Sequence, residues 1–483
     1  MNEKEQEVQT QNPLGYKPIG KLLLAFSVPA VVSCIVNSVY NIVDQIFIGQ
    51  GVGYLGNAAT TVAFPVMTII MAIATLIGSG GGAYAAIKLG EGNKQEAQKT
   101  LNNVFALSLA AGVVIMILGL LFMEPVLRVF GAADESIMAY SKEYVWVILL
   151  GVPFSVLGVA LSSMARTDGA PRLSMYGILI GAVLNTILDP IYIFTFNWGV
   201  KGAALATITS QMLSAVILTV YFWKRGHMRL KLREMKPNLR VCRKTCTLGV
   251  SSGITQLVAC IMQVVMNNTL VTYGNQSPIG GGVALSAMGI VLKIGMILAS
   301  VGIGIGIGAQ PILGFNYGAQ KPQRIRRTYL TAVTAATGII FLGFIVCQTM
   351  PEPILQLFGG GNEQFSVFAV KCMRIYLGGI FCAGIQIVST NYFQATGQPM
   401  KAAVLSMLRQ LLLLIPLIIL LPMFFGLDGV LFAGPAADIT SAVIVICFVV
   451  PEMRKLSRQI REAQSRQALE PELSQPVGQG VSI

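Results

Sequence analysis

The chain has 483 residues, 54% of them hydrophobic and only 11% charged, with a mean hydropathy of +0.69. Soluble proteins carry nearer ~25% charge, so the composition excludes an ordinary soluble domain and describes a polytopic membrane protein. The net charge of +13 does not point to nucleic acid, because the basic residues fall in short loops between apolar runs.

The first residues, Met1 to Thr10, are polar and acidic, which predicts no cleavable signal peptide and leaves the first span as the targeting signal. Twelve apolar runs follow, near 21–48, 57–87, 98–122, 138–165, 172–195, 199–223, 244–272, 281–316, 326–349, 366–395, 401–423 and 428–451. Each is long enough for the ~20 residues that a spanning helix needs. The expected fold class is therefore an all-α integral membrane protein with twelve transmembrane helices. The loops after spans two, four, six, eight and ten carry the lysines and arginines, whereas those after spans one, seven, nine and eleven carry none. By the positive-inside rule the even loops and both termini are cytoplasmic.

Span one ends in Asn37-Ser-Val-Tyr40-Asn41-Ile-Val-Asp44. Asn37, Asn41 and Asp44 share one helix face, and an ionisable group inside a span marks a functional site unless a partner or cavity accommodates it. Span five reads Asn185-Thr-Ile-Leu-Asp189-Pro190, with an amide and a carboxylate at i, i+4, and span six carries Thr207, Gln211 and Ser214 on one stripe. Counted from the span ends, Asp44, Asp189 and Thr207 fall within ~6 Å of depth at ~1.5 Å rise per residue. Two carboxylates in one dry site rarely both stay ionised, and a shared proton or a bound sodium resolves the conflict.

The basic loop 224–243 divides the spans six and six, and it holds the one histidine, His227. A shift of 228 lays Gly78-Ser-Gly80 on Gly306-Ile-Gly308, Leu89-Gly90 on Tyr317-Gly318 and Gly169-Ala-Pro171 on Gly397-Gln-Pro399. This repeat predicts two parallel six-helix bundles related by an axis along the membrane normal, an N-lobe at 21–223 and a C-lobe at 244–451. They are flanked by cytoplasmic tails at 1–20 and 452–483, the latter fraying after a turn or two. In the second half, span seven offers the neutral face Gln256, Gln263 and Asn267. The in-span charges there are Lys293, Arg374, Arg409 and Asp438. Lys293 is expected either to pair with Asp438, the preferred reading, or to bind an anionic substrate, with Arg409 snorkelling toward the cytoplasm.

Other chemistry is thin. Gly302-Ile-Gly-Ile-Gly-Ile-Gly308 lies deep in span eight and reads as close helix packing. Gly15-x-x-x-x-Gly20-Lys21 continues with Leu22 where a phosphate loop needs Ser or Thr. Without a nucleotide site, transport energy would come from an ion gradient. The eight cysteines include no Cys-x-x-Cys pair and imply neither a disulfide framework nor a metal cluster.

The Asn-Ser-Val-Tyr-Asn-Ile-Val-Asp ending of span one, Met164-Ala-Arg-Thr-Asp-Gly169 after span four, Asn185-x-x-x-Asp189 and the six-plus-six repeat together resemble the multidrug and toxic compound extrusion (MATE) family, in its DinF/MepA-like branch. The resemblance covers residues from about 15 to 455. It implies a secondary active antiporter that exports amphiphilic, mostly cationic small molecules in exchange for H+ or Na+, by rocking two lobes around a central cavity. It implies a cation site at Asp44, Asn185, Asp189 and Thr207, with possible Na+ there, and a bend of span one at Pro29. The expected cavity and its supports comprise Asn37, Tyr40, Asn41, Gln211, Gln263, Asn267 and Lys293. No cofactor beyond the coupling ion is expected. The expected partners are small-molecule substrates and membrane lipids, with no nucleic acid, in a monomer of the plasma (inner) membrane. The same-class alternative is a flippase for lipid or lipid-linked oligosaccharide, which would need a strongly cationic cavity. A membrane-embedded enzyme is the different-class alternative, and it finds no Ser/His/Asp or metal set to work with.

Overall fold

The computed structural model describes residues 12–130, 135–231, 238–356 and 363–473. Parts of the two tails (1–11 and 474–483) and of the inter-lobe loop (232–237) lie outside the described residues. Twelve helices among the described residues are long and apolar enough to cross a membrane. They are α1 (Ile19–Val52), α2 (Tyr54–Gly90), α3 (Lys94–Leu121), α4 (Glu135–Thr167) and α5 (Pro171–Pro190, extended by a π turn at Ile191–Thr195). Then come α6 (Gly199–Lys224), α7 (Leu239–Asn275), α8 (Gly281–Gly318) and α9 (Pro322–Thr349). α10 spans Phe365–Ala395 with a 3-10 segment at Leu377–Cys382. α11 spans Pro399–Phe425 with a π segment at Leu408–Leu414, and α12 spans Leu427–Leu473.

Each of the twelve apolar runs forms a helix, because a span in lipid must satisfy its backbone internally. α12 departs from expectation. It does not fray past residue 452 but stays helical to Leu473. Glu452 accepts from Gln398 at 3.0 Å and Lys401 at 3.3 Å, tying this stretch to the start of α11. Arg458 and Glu462 add an i, i+4 pair at 2.8 Å.

The internal repeat is visible in the backbone itself. Gly53 and Gly280 both have positive φ, 81° and 83°, as do Gly169 and Gly397 at 89° and 71° and Gly199 and Gly426 at 52° and 56°. Each pair punctuates an equivalent loop where an L side chain would be strained. α2 packs along α7 just as α8 packs along α1, the two contacts that the repeat makes equivalent. At the inner end, where the chain begins, a Cβ on Gly90 would meet the Phe315 carbonyl oxygen at 2.0 Å, and one on Gly318 would meet that of Ile87 at 2.1 Å. Gly90 and Gly318, like Ile87 and Phe315, are 228 residues apart. A single pair of symmetry-related contacts thus straddles the axis between α2 and α8.

The lobes therefore meet at their inner halves. Gly80 lies against Thr245 and Gly249, Gly249 against Leu76, Gly304 against Val31, and Gly308 against Ser27. The first turns of α1 (Leu22, Leu23 and Phe26) share a core with the inner C-lobe residues Ile312, Phe315 and Tyr392. The rest of the N-lobe has its own core from Ile48 to Met228, and the outer C-lobe has a third from Met266 to Ala437.

Candidate functional site

The N-lobe gathers its polar groups where α1, α5 and α6 pack together. The i, i+4 spacing of Asn185 and Asp189 puts both on the buried face of α5. Asn185 is 2% exposed and Asp189 0%. Asn185 Nδ2 donates to Asp189 Oδ1 at 3.2 Å and to Thr207 Oγ1 of α6 at 3.4 Å. Asp44 of α1 brings its carboxyl within hydrogen-bonding reach of Asp189. Asp44 Oδ1, Asp189 Oδ2 and Asn185 Oδ1 are all buried, and none has a hydrogen-bond partner. Three acceptor oxygens from two helices are left unsatisfied, an arrangement that is costly unless a proton or cation completes it. All four residues of the expected cation site are thus brought together.

Tyr144 of α4, which the sequence reading did not single out, is buried nearby in the N-lobe core. It is 6% exposed and lies in electrostatic reach of Asp44, Tyr40 and Asp189. The other expected residues are placed differently. Tyr40 is half-buried and its hydroxyl neighbours Asn41. Asn41 is exposed and donates through Nδ2 to the Asn37 carbonyl at 2.5 Å, while Asn37 is half-buried. Gln211 is half-buried on α6, one turn inward of Thr207. Pro29 is buried in a continuous α1, between Ser27 and Val31, which face α8. Gln45, unremarked in the sequence, ties α1 to α2 by donating to Asn57 at 2.6 Å and Thr60 at 3.2 Å.

In the C-lobe, Gln263 Nε2 donates to Asn267 Oδ1 at 2.9 Å, and both are half-buried. The expected Lys293–Asp438 pair does not form. Asp438, 2% exposed, is instead held by Arg409, whose Nε donates to Oδ1. Arg409 therefore does not snorkel. The reason is local: the π segment of α11 begins at Leu408, and α12 is the helix packed along it. The shift of 228 at the start of α5 and α11 lays Arg409 on Gly181, and the shift of 227 that lays Gly426 on Gly199 lays Asp438 on Gln211, one residue on α5 and one on α6. The ion pair thus sits on the same helix pair as the N-lobe cluster, about one turn inward of Asn185. Lys293 is exposed and makes no ion pair with a described carboxylate.

The Met164–Gly169 motif organises the inner surface. Arg166 Nη1 donates to Ser162 at 3.1 Å and Ser174 at 2.8 Å. Asp168 accepts from Tyr221 at 2.7 Å and from the backbone N–H groups of His227 at 2.9 Å and Met228 at 2.8 Å. Burial pushes its carboxyl above the usual range while these three donors pull it back. The His227 side chain is 87% exposed, with Nδ1 3.6 Å from Asp168 Oδ2, so the backbone N–H at 2.9 Å makes the closer contact.

Comparison with known proteins agrees with this geometry. The family described as MatE matches residues 29–191 and 254–420, one segment in each lobe. The multidrug export protein MepA of Staphylococcus aureus (strain MSSA476) is 27% identical over 437 residues, covering 89% of this chain and 94% of the relative. Its counterpart in Staphylococcus haemolyticus (strain JCSC1435) is 26% identical over 441 residues, covering 90% and 94%. Among solved structures, an outward-facing MATE family transporter of the MOP superfamily superposes with a TM-score of 0.86 at 22% identity, covering 95% of this chain and 99% of that one. The MATE multidrug transporter DinF-BH, solved in a ligand complex, gives 0.82 at 32% identity, covering 89% and 95%. With the family matched across both lobes, this chain belongs to the MatE family and is a multi-pass membrane transporter of the multidrug efflux type.

Proposed function

We propose that this protein is an ion-coupled antiporter that expels small amphiphilic molecules across the plasma membrane in exchange for H+ or Na+. The observation that carries the reading is the trio of buried, unpartnered oxygens on Asp44, Asp189 and Asn185. Two facing carboxyls and a carbonyl oxygen in a water-poor pocket bind a proton or a hard cation far better than they tolerate being empty and ionised. Occupancy biases the position of α1 relative to α5 and α6, and α1 is also the helix whose inner half packs against the C-lobe. One element therefore touches both the ion and the inter-lobe contact. Coupling then amounts to a difference in ion affinity between two lobe arrangements, typically ~1–3 kcal/mol.

With both termini and the basic loops on the cytoplasmic side, the inner closure seals the cytoplasmic face and the arrangement is outward-facing. Pro29 lies in the clamped part of α1, where a bend would alter the contact with α8. The flippase alternative fares less well, because Arg409 is neutralised by Asp438 and leaves no dense cationic surface for phosphates. The deciding experiment is export of a fluorescent cation from proteoliposomes with sodium and pH gradients imposed separately. Export driven by one gradient supports the reading and names the ion. Equal movement with neither gradient overturns it.

A further inference from the structure

Lys293 is an intramembrane charge with no ion-pair partner among the described residues, and its place in the helix packing says where it points. α1 and α8 run antiparallel in contact. A Cβ on Gly308 would touch Ser27, a Cβ on Gly304 would touch Val31, and the Ser300 and Ser38 hydroxyls lie 3.1 Å apart. Positions 293, 300, 304 and 308 recur on one face at 3.6 residues per turn. Lys293 therefore lies on the face of α8 that looks toward the N-lobe, not on a lipid-facing side. Continuing the same register outward sets it level with the last turns of α1, residues 42–45.

At that level the lobes no longer cover it. Ser300 is buried at 4% exposure, whereas Lys293, two turns further out, is exposed, and so is Met296 between them. Lys293 is twelve residues from the outer end of α8, a depth of ~18 Å at ~1.5 Å per residue. That is beyond what a lysine stem reaches by snorkelling. The carboxylates that could neutralise it are committed elsewhere. Asp438 is held by Arg409, and Asp44 and Asp189 face each other inside the N-lobe. A charge this deep is tolerated only in a water-filled space or against a partner.

We propose that Lys293 is a specificity-determining residue that receives an acidic group of the transported amphiphile. The favoured substrates then include anionic or zwitterionic molecules and not only simple cations. This rests on the exporter reading and narrows its substrate class. The neighbouring C-lobe face, Gln263 and Asn267 on α7, supplies neutral hydrogen-bonding groups that suit the uncharged parts of such a molecule.

A matched pair of dyes tests it. Rhodamine 6G is an ethyl ester with a single positive charge, and its free acid, rhodamine 19, is a zwitterion on the same ring system. Binding of each to the purified full-length protein is followed by fluorescence anisotropy at pH 7.5, for the wild type, Lys293→Gln and Lys293→Arg. A charge-assisted contact predicts that the preference for acid over ester falls about tenfold in Lys293→Gln and is kept in Lys293→Arg. An unchanged preference in Lys293→Gln, or wild-type binding of neither dye, overturns the proposal. Gradient-driven export is measured on the same proteins. Lys293-dependent binding of the acid without any export would sink the exporter reading while leaving this assignment standing.

Discussion

Asp189 is fully buried with one carboxylate oxygen unpartnered, an expensive position for a residue with no task. If Asp44 and Asp189 share one exchangeable cation, either alone is insufficient to hold it. Asp44→Asn and Asp189→Asn should each reduce gradient-driven export to background, and the double variant should be no worse. Both changes are near-isosteric, so elution as a folded monodisperse species should persist. Near wild-type export by either single variant would remove this cluster from the coupling mechanism. Four of these polar residues were legible in the sequence because i, i+4 spacing and distance from span ends are one-dimensional quantities. Tyr144 was not legible. A single tyrosine in an apolar span reads as core, and only the fold brings it within electrostatic reach of Asp44 and Asp189.

At the scale of helices, the C-lobe answers the N-lobe cluster with a pair that carries its own cation. Arg409 and Asp438 occupy the pseudo-symmetric helix pair, and there the guanidinium itself neutralises the buried carboxylate. Breaking a buried ion pair strands a charge at a cost of about 3–5 kcal/mol, whereas removing both partners is often far milder. Arg409→Met and Asp438→Leu should each lower folded yield and thermal stability sharply, and the double variant should recover much of the loss. Strictly additive losses in a thermal-shift assay would argue against the pair. The sequence contained the clue to the right partner. Arg409 and Asp438 lie on consecutive helices joined by a tight turn at Gly426, and consecutive elements usually pack together. Charge alone did not separate Arg409 from Lys293, because an isolated run of residues does not say which face of a helix meets which neighbour.

For the molecule as a whole, the inner closure is made without a single inter-lobe ion pair among the described residues. Gln394 Nε2 donates to Ser79 Oγ at 2.9 Å, Ser252 Oγ at 3.1 Å and the Leu248 carbonyl at 2.9 Å, and Ser79 donates to Ser252 at 2.7 Å. Around this neutral knot the glycines let backbones touch. Hydrogen bonds and close packing of this kind are individually modest, which suits a contact that opens in the proposed antiport cycle. The same glycines were visible as a repeat in the sequence. Their role was not, since a repeat shows that two positions are equivalent without showing that they meet at the axis. A side chain at Gly318 has no room, because its Cβ would sit 2.1 Å from the Ile87 carbonyl oxygen, which is backbone and cannot rotate aside. Gly318→Leu should therefore disfavour the closed inner end and trap the lobes apart there. Spin labels at Arg172 and Met400, exposed positions 228 residues apart at the inner ends of α5 and α11, would report the change. Their separation should lengthen in Gly318→Leu, with transport lost and dye binding retained. An unchanged distance distribution together with normal transport would show that the lobes close through some other contact.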